Sequence, residues 1–219
     1  SLHDALPILD NAALVRGLQK QAELTGVVKV EFIGAVSKGL EGKELAEMGD
    51  MAEAGVVAFS DDGHYVENAA FMRRALEYSS MFNKMVIDHA EDITLTKNGH
   101  MHEGIVSYEL GVIGRPAVAE DLAVARDILL SEMTGGHIHI AHVSSKNTVD
   151  MVRRAKAKGL NVTCEVTSQH LSFTDEYLRE YNPAFKMAPP IRSEDHRQAL
   201  LEGLKDGTID AIITDHAPH

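Results

Sequence analysis

Short apolar runs rich in β-branched residues alternate along this chain with longer segments whose apolar positions recur at helical spacing. That alternation limits the fold more than any other feature. The runs are 27–36 (VVKVEFIGAV), 55–60 (GVVAFS), 84–90 (KMVIDHA), 137–143 (HIHIAHV), 160–166 (LNVTCEV) and 210–216 (DAIITDH). Helix-like stretches separate them at 11–25, 42–54, 68–82, 119–133, 146–158 and 195–205. In 119–133 the apolar positions Leu122, Val124, Ala125, Ile128, Leu129 and Met133 recur near the 3.6-residue period and are the expected core face. Gly26, Gly55 and Gly159 precede strands, where helix C-caps belong.

Strand–helix repeats imply a parallel sheet, because parallel neighbours need crossover connections. An open doubly wound sheet and a closed (β/α)8 barrel both satisfy that rule. No G-x-G-x-x-G fingerprint follows any strand, which weakens the dinucleotide-binding version of the open sheet. The units read from the sequence are two short of a barrel.

Composition narrows the chemistry by exclusion. The 219 residues carry 21 Lys and Arg against 33 Asp and Glu, a formal charge of −12 that disfavours nucleic acid and anionic lipid as partners. No apolar run approaches the roughly 20 residues of a membrane span, and the N-terminus lacks a secretion-signal pattern. The single cysteine, Cys164, excludes an internal disulfide and fits a cytoplasmic setting. Cys164 itself reads as a small buried hydrophobe. The 12 histidines are a hint of metal chemistry.

Chemistry in α/β folds collects at the C-terminal ends of strands. There the chain presents Asp61, Asp62 and His64; Asp88, His89, Glu91 and Asp92; His142 after His137 and His139; Glu165 and His170; and Asp215, His216 and His219. A single aspartate after a strand is ordinarily a turn or helix cap, and a single histidine is ordinarily a surface residue. His137 and His139 alternate within a strand and read as packing residues. Recurrence of Asp and His across several strand ends is instead what a zinc site needs, with imidazole nitrogen and carboxylate oxygen as donors.

The motifs AFSDDG, HAED, HEG (102–104), ARDILL, HIAHVSS, EVT followed by HL, FKMAPPIR and DGTIDAIITDHAPH together resemble the type I dihydroorotases of bacteria. These are metal-dependent amidohydrolases built on a (β/α)8 barrel. The resemblance implies an α/β fold holding part of such a barrel, with Zn2+ as cofactor, two ions per complete site. By position it makes Asp62 the carboxylate bridging the ions and His89 and His142 ligands of one of them. Asp215 becomes a ligand of the other ion and the general acid/base, and His219 a substrate-binding residue. The implied reaction is the reversible cyclisation of N-carbamoyl-L-aspartate to L-dihydroorotate. Aspartate transcarbamoylase and a second copy of the chain are the implied protein partners.

The chain departs from the family pattern in three places. No His-x-His strand precedes the matched motifs, and residues 1–6 do not resemble the family, reading as a cloning or assembly junction. The chain stops at His219, before the family's closing segments. Ala188 stands where the family often has a substrate-contacting asparagine. The expectation is therefore a partial catalytic barrel over 7–219, lacking the first strands and the C-terminal segments, with weak binding of one zinc and little turnover on its own. Other cyclic amidases of the hydantoinase or allantoinase kind, and a non-catalytic companion of aspartate transcarbamoylase, are the alternatives.

Overall fold

The structure is a computed structural model that describes residues 8–216, and its contacts divide the chain into two units. The first takes the described residues up to His89, together with Leu130–Ile138 and His216. It contains helices α1 (Ala12–Thr25), α2 (Met48–Glu53) and α3 (Ala69–Ser80), and strands β1 (Ile33–Gly34), β2 (Ala58–Ser60) and β3 (Met85–Asp88). Asn11 and Asn68 start α1 and α3 as N-caps, their side chains accepting from Leu14 N and Phe71 N. In α3, Phe71, Met72, Ala75 and Leu76 share one buried face. Fully buried Met48, Met51, Val56 and Phe59 belong to the same unit's core.

The second unit comprises Ala90–Leu129 and His139–Asp215. Its elements are α4 (Ile93–Thr96), β4 (Met101–His102), α5 (Ile105–Leu110), β5 (Gly114–Arg115) and most of α6 (Val118–Thr134). Then come most of β6 (Ile138–Ile140), α7 (Lys146–Ala157), β7 (Val162–Thr167), α8 (Ser168–Ser172), α9 (Glu194–Lys205) and β8 (Ala211–Ile213). Ser145 caps α7 by accepting from Asn147 N, and Val149, Val152 and Ala155 form its buried stripe. α7 packs on α9 where Gly203 leaves room: a Cβ there would stand 2.7 Å from Val149 Cγ1.

The main sheet runs β1-β2-β3-β6-β7-β8, and β4 pairs with β5 in a separate two-stranded sheet. The β1–β2, β2–β3 and β7–β8 ladders are parallel, with Ile33 opposite Ala58, Phe59 opposite Val86 and Val166 opposite Ile212. Strand order follows chain order without reversal. A doubly wound sheet would change direction at a switch point, so this progression is that of a barrel wall.

Several sequence expectations change here. The run 27–36 yields only β1: pairing begins where Val57 N donates to Phe32 O, and Val27 is 98% exposed. β-branched residues do not form a strand without a neighbouring strand to complete their backbone bonds. Gly55 and Gly159 take left-handed φ of +100° and +77°, as C-cap positions do. Gly26 is the C-cap of α1, its N–H donating to Ala22 O, but with an extended backbone at φ −72°. The helix expected over 42–54 shortens to α2, and 101–115, read as no element, holds β4, α5 and β5. Helix α6 forms but buries only part of its periodic apolar set: Val124 is buried and Ala125 and Ile128 are half-buried, Leu122, Leu129 and Met133 are exposed, and Glu120, Ala123, Asp127 and Ser131 are buried instead.

Candidate metal centre

β2 ends by separating two adjacent aspartates. Asp61 turns inward, where its Oδ1 accepts from Val36 N at 2.8 Å and Ser37 N at 3.0 Å and its Oδ2 accepts from the Ser37 hydroxyl. Burial pushes the Asp61 carboxyl up from its ordinary value, against those donors. Asp62 turns outward, held by its own N–H donating to Ser60 Oγ at 2.9 Å, while Ser60 Oγ donates to Ile87 O of β3. The side chain that closes the β1 loop and the one offered to a ligand are thus neighbours in sequence.

His89 follows β3 directly, and its Nδ1 lies 3.4 Å from Asp62 Oδ1. His142 lies two residues beyond β6, buried, with a left-handed φ of +31°. One ligand atom from each of Asp62, His89 and His142 lies within 4.8 Å of the others, the group that could hold a metal ion among the described residues. Two imidazoles and one carboxylate suit zinc, whereas magnesium and calcium prefer oxygen throughout. Ligand atoms on one tetrahedral zinc, with bonds of about 2.1 Å, stand roughly 3.4 Å apart. The Asp62–His89 separation already has that value, so this pair fits the ion in spacing and the three donors fit it in kind.

The other strand-end residues have other surroundings. Asp92 caps α4, accepting from Thr94 N. Glu91 pairs with Arg115 at 3.5 Å, and His64 is exposed. His139 is buried with Nδ1 2.7 Å from Thr163 Oγ1 and Nε2 3.2 Å from Glu165, so the histidine that the alternation marks as packing is held by β7. Burial lowers the pKa of His170 to about 4, and its ring bridges Thr167 Oγ1 and Pro189 O. Burial pushes the Cys164 thiol up to about 12, which removes it as a neutral-pH nucleophile. Asp215 is exposed at φ +51°, two residues after β8, and is not a member of the group of three. His219 lies outside the described residues.

Residues 5–148 match the family described as dihydro-orotase-like. The chain belongs to that family. The match spans Asp62, His89 and His142 and ends before Asp215. A dihydroorotase of Pelotomaculum thermopropionicum is 54% identical over 213 residues, covering 97% of this chain and 50% of that protein. One from Streptomyces coelicolor is 49% identical over 221 residues, covering 100% of this chain and 52% of its own length. The chain therefore spans about half the length of the curated relatives it matches. Among solved structures, the L-hydantoinase (dihydropyrimidinase) from Arthrobacter aurescens superposes with a TM-score of 0.82 at 24% identity, over 98% of this chain and 50% of that one. A crystal structure of D-hydantoinase follows at 0.74 and 19%. These two establish the fold: the chain holds the α/β elements of roughly half of such a barrel protein.

Sequence reasoning missed a buried polar cluster in the second unit. Glu120, His102 and Arg192 lie 4%, 6% and 4% exposed and interact with one another or with Ser144. The one signal was HEG and PPIR standing among the family motifs with no chemistry attached to them.

Proposed function

We propose that this chain supplies barrel wall and metal ligands to a dihydroorotase, which interconverts N-carbamoyl-L-aspartate and L-dihydroorotate. The observation that carries the reading is the convergence of Asp62, His89 and His142, residues of three separate strand ends, inside the stretch that matches the family. The relatives named dihydroorotase, at about half identity over nearly the whole chain, favour this cyclic amide over the hydantoinase alternative, whose likeness is one of fold.

In this reading Asp62, His89 and His142 would hold zinc, Asp62 as the carboxylate shared between two ions and the histidines as ligands of one. Bound zinc supplies a Lewis acid and lowers the pKa of coordinated water toward neutrality. Asp215 takes a proton from the attacking water and returns it to the ring nitrogen as the C–N bond breaks, general acid–base work suited to an exposed carboxylate at a strand end. His219 contacts the substrate. The same reading places the protein in the cytoplasm, with aspartate transcarbamoylase and a second copy of the chain as partners. Among the described residues no helix is long and apolar enough to cross a membrane.

The test is metal content and turnover in a protein carrying this stretch. Asp62→Ala and His142→Ala are expected to remove zinc retained after dialysis. Asp215→Asn is expected to lower dihydroorotate hydrolysis by about 10²-fold or more. Unchanged zinc in both ligand variants overturns the reading.

A further inference from the structure

Local preference alone does not set the backbone of His142. A φ of +31° is uncommon for a residue with a Cβ, and such conformations persist where the surroundings over-determine them. The surroundings here are specific. Val143 N donates to Glu165 O of β7 at 2.8 Å. The next two backbone N–H groups, of Ser144 and Ser145, both donate to Glu120 Oε1, at 3.0 and 2.9 Å. The Ser144 hydroxyl donates to Glu120 Oε2 and accepts from Arg192 Nε at 2.7 Å. Arg192 Nη2 reaches Glu120 Oε2 at 3.3 Å, and Nη1 reaches His102 Nδ1 at 3.3 Å and Arg115 O at 3.4 Å.

We propose that Glu120 and Arg192 are positioning residues for the metal centre, clamping the turn 143–145 so that His142 keeps its left-handed backbone and its place beside Asp62 and His89. The inference rests on the reading of those three residues as ligands. Glu120 comes from the first turn of α6 and Arg192 from the segment before α9, so the clamp ties three distant pieces of chain to one turn. Charge favours it. Burial alone would push the Glu120 carboxyl up, but the Arg192 guanidinium and the Ser144 and Ser145 donors outweigh it and keep the group ionised. An ionised carboxylate accepts from all these donors at once, and an amide does not. Glu120 bonds Ser144 and Ser145, two and three residues beyond His142. Its effect reaches the centre through the backbone of 143–145.

A merely structural role and a positioning role separate by experiment. The 219-residue chain is loaded with zinc, and its dissociation constant is measured against a chromophoric chelator. The visible spectrum of the cobalt(II)-loaded chain reports ligand geometry. Glu120→Gln is expected to weaken zinc about tenfold or more and to change the cobalt spectrum. Leu200→Ala, which removes a buried side chain of α9 away from the clamp, is expected to lower the melting temperature while leaving zinc affinity and spectrum unchanged. Should Glu120→Gln fail to fold, Ser144→Ala removes the hydroxyl that links the two clamp residues and is expected to weaken zinc about threefold or more. Unchanged zinc affinity and spectrum in the folded clamp variant, or equal losses in Leu200→Ala at the same stability, overturn the proposal. His142→Ala sets the reference. If it loses zinc and the clamp variants do not, the clamp is refuted and the metal centre stands. If it keeps zinc, the metal-centre reading falls and the clamp's role falls with it.

Discussion

Asp61 and Asp62 differ by one position and by nearly everything else. Asp61 is 3% exposed and satisfies three donors of the β1 loop, so Asp61→Ala leaves Val36 N and Ser37 N buried without an acceptor. The expected loss is on the order of 3 kcal/mol, read from urea unfolding of the metal-free chain. Asp62→Ala removes a half-exposed side chain and is expected to change that stability by under about 1 kcal/mol while abolishing zinc retention. His170 carries a second residue-scale prediction. Burial holds its folded pKa near 4, below the ordinary 6.5, so the unfolded chain binds the proton first as pH falls. Its contribution is complete above about pH 6.5 and is lost progressively toward pH 4, on the order of 3 kcal/mol in all. Comparing urea midpoints at neutral and mildly acid pH checks this, and His170→Gln should flatten the difference.

Element packing explains why α6 buries polar side chains while part of its apolar face stays exposed. A helix buries whatever its neighbours can satisfy, and here the Ser144–Ser145 turn and Arg192 offer donors that make a carboxylate, Glu120, a core residue. Leu129 is left 64% exposed. Leu129→Lys is therefore expected to shift stability by no more than about 0.5 kcal/mol. Gly203→Ala should cost about 1–3 kcal/mol, because its Cβ would press on Val149 Cγ1 and drive α9 from α7. Urea midpoints of the two variants test the exposure of Leu129 and the close approach together. Their rank would be the opposite if hydrophobic periodicity alone governed burial.

At the scale of the molecule, one sheet order and one proposed ligand group belong together. Strands in chain order put β2, β3 and β6 side by side, and Asp62, His89 and His142 follow the C-terminal ends of those three strands. A ligand that binds only the folded chain stabilises it by mass action. Zinc at a hundred times its dissociation constant should add about 2.7 kcal/mol to unfolding free energy, and Asp62→Ala or His89→Ala should remove the gain. Calorimetry with and without zinc reads it directly. An equal gain in the variants would place zinc elsewhere.

What the sequence alone determined was the periodic part of the structure and the types of side chain at strand ends. The runs centred on β2, β3, β6, β7 and β8 and the helices near α1, α3, α6, α7 and α9 follow from local spacing, because a backbone's period shows in its own residues. The recurrence of Asp and His at those ends was equally legible, and so was the family resemblance. Tertiary structure decided the rest. Only packing separates Asp61 from Asp62, exposes Val27 and Leu129, or assembles Glu120, Ser144 and Arg192 from positions 24 and 48 residues apart. Burial and hydrogen-bond satisfaction depend on which chemically complementary group arrives from elsewhere in the chain, and spacing along the backbone does not carry that information.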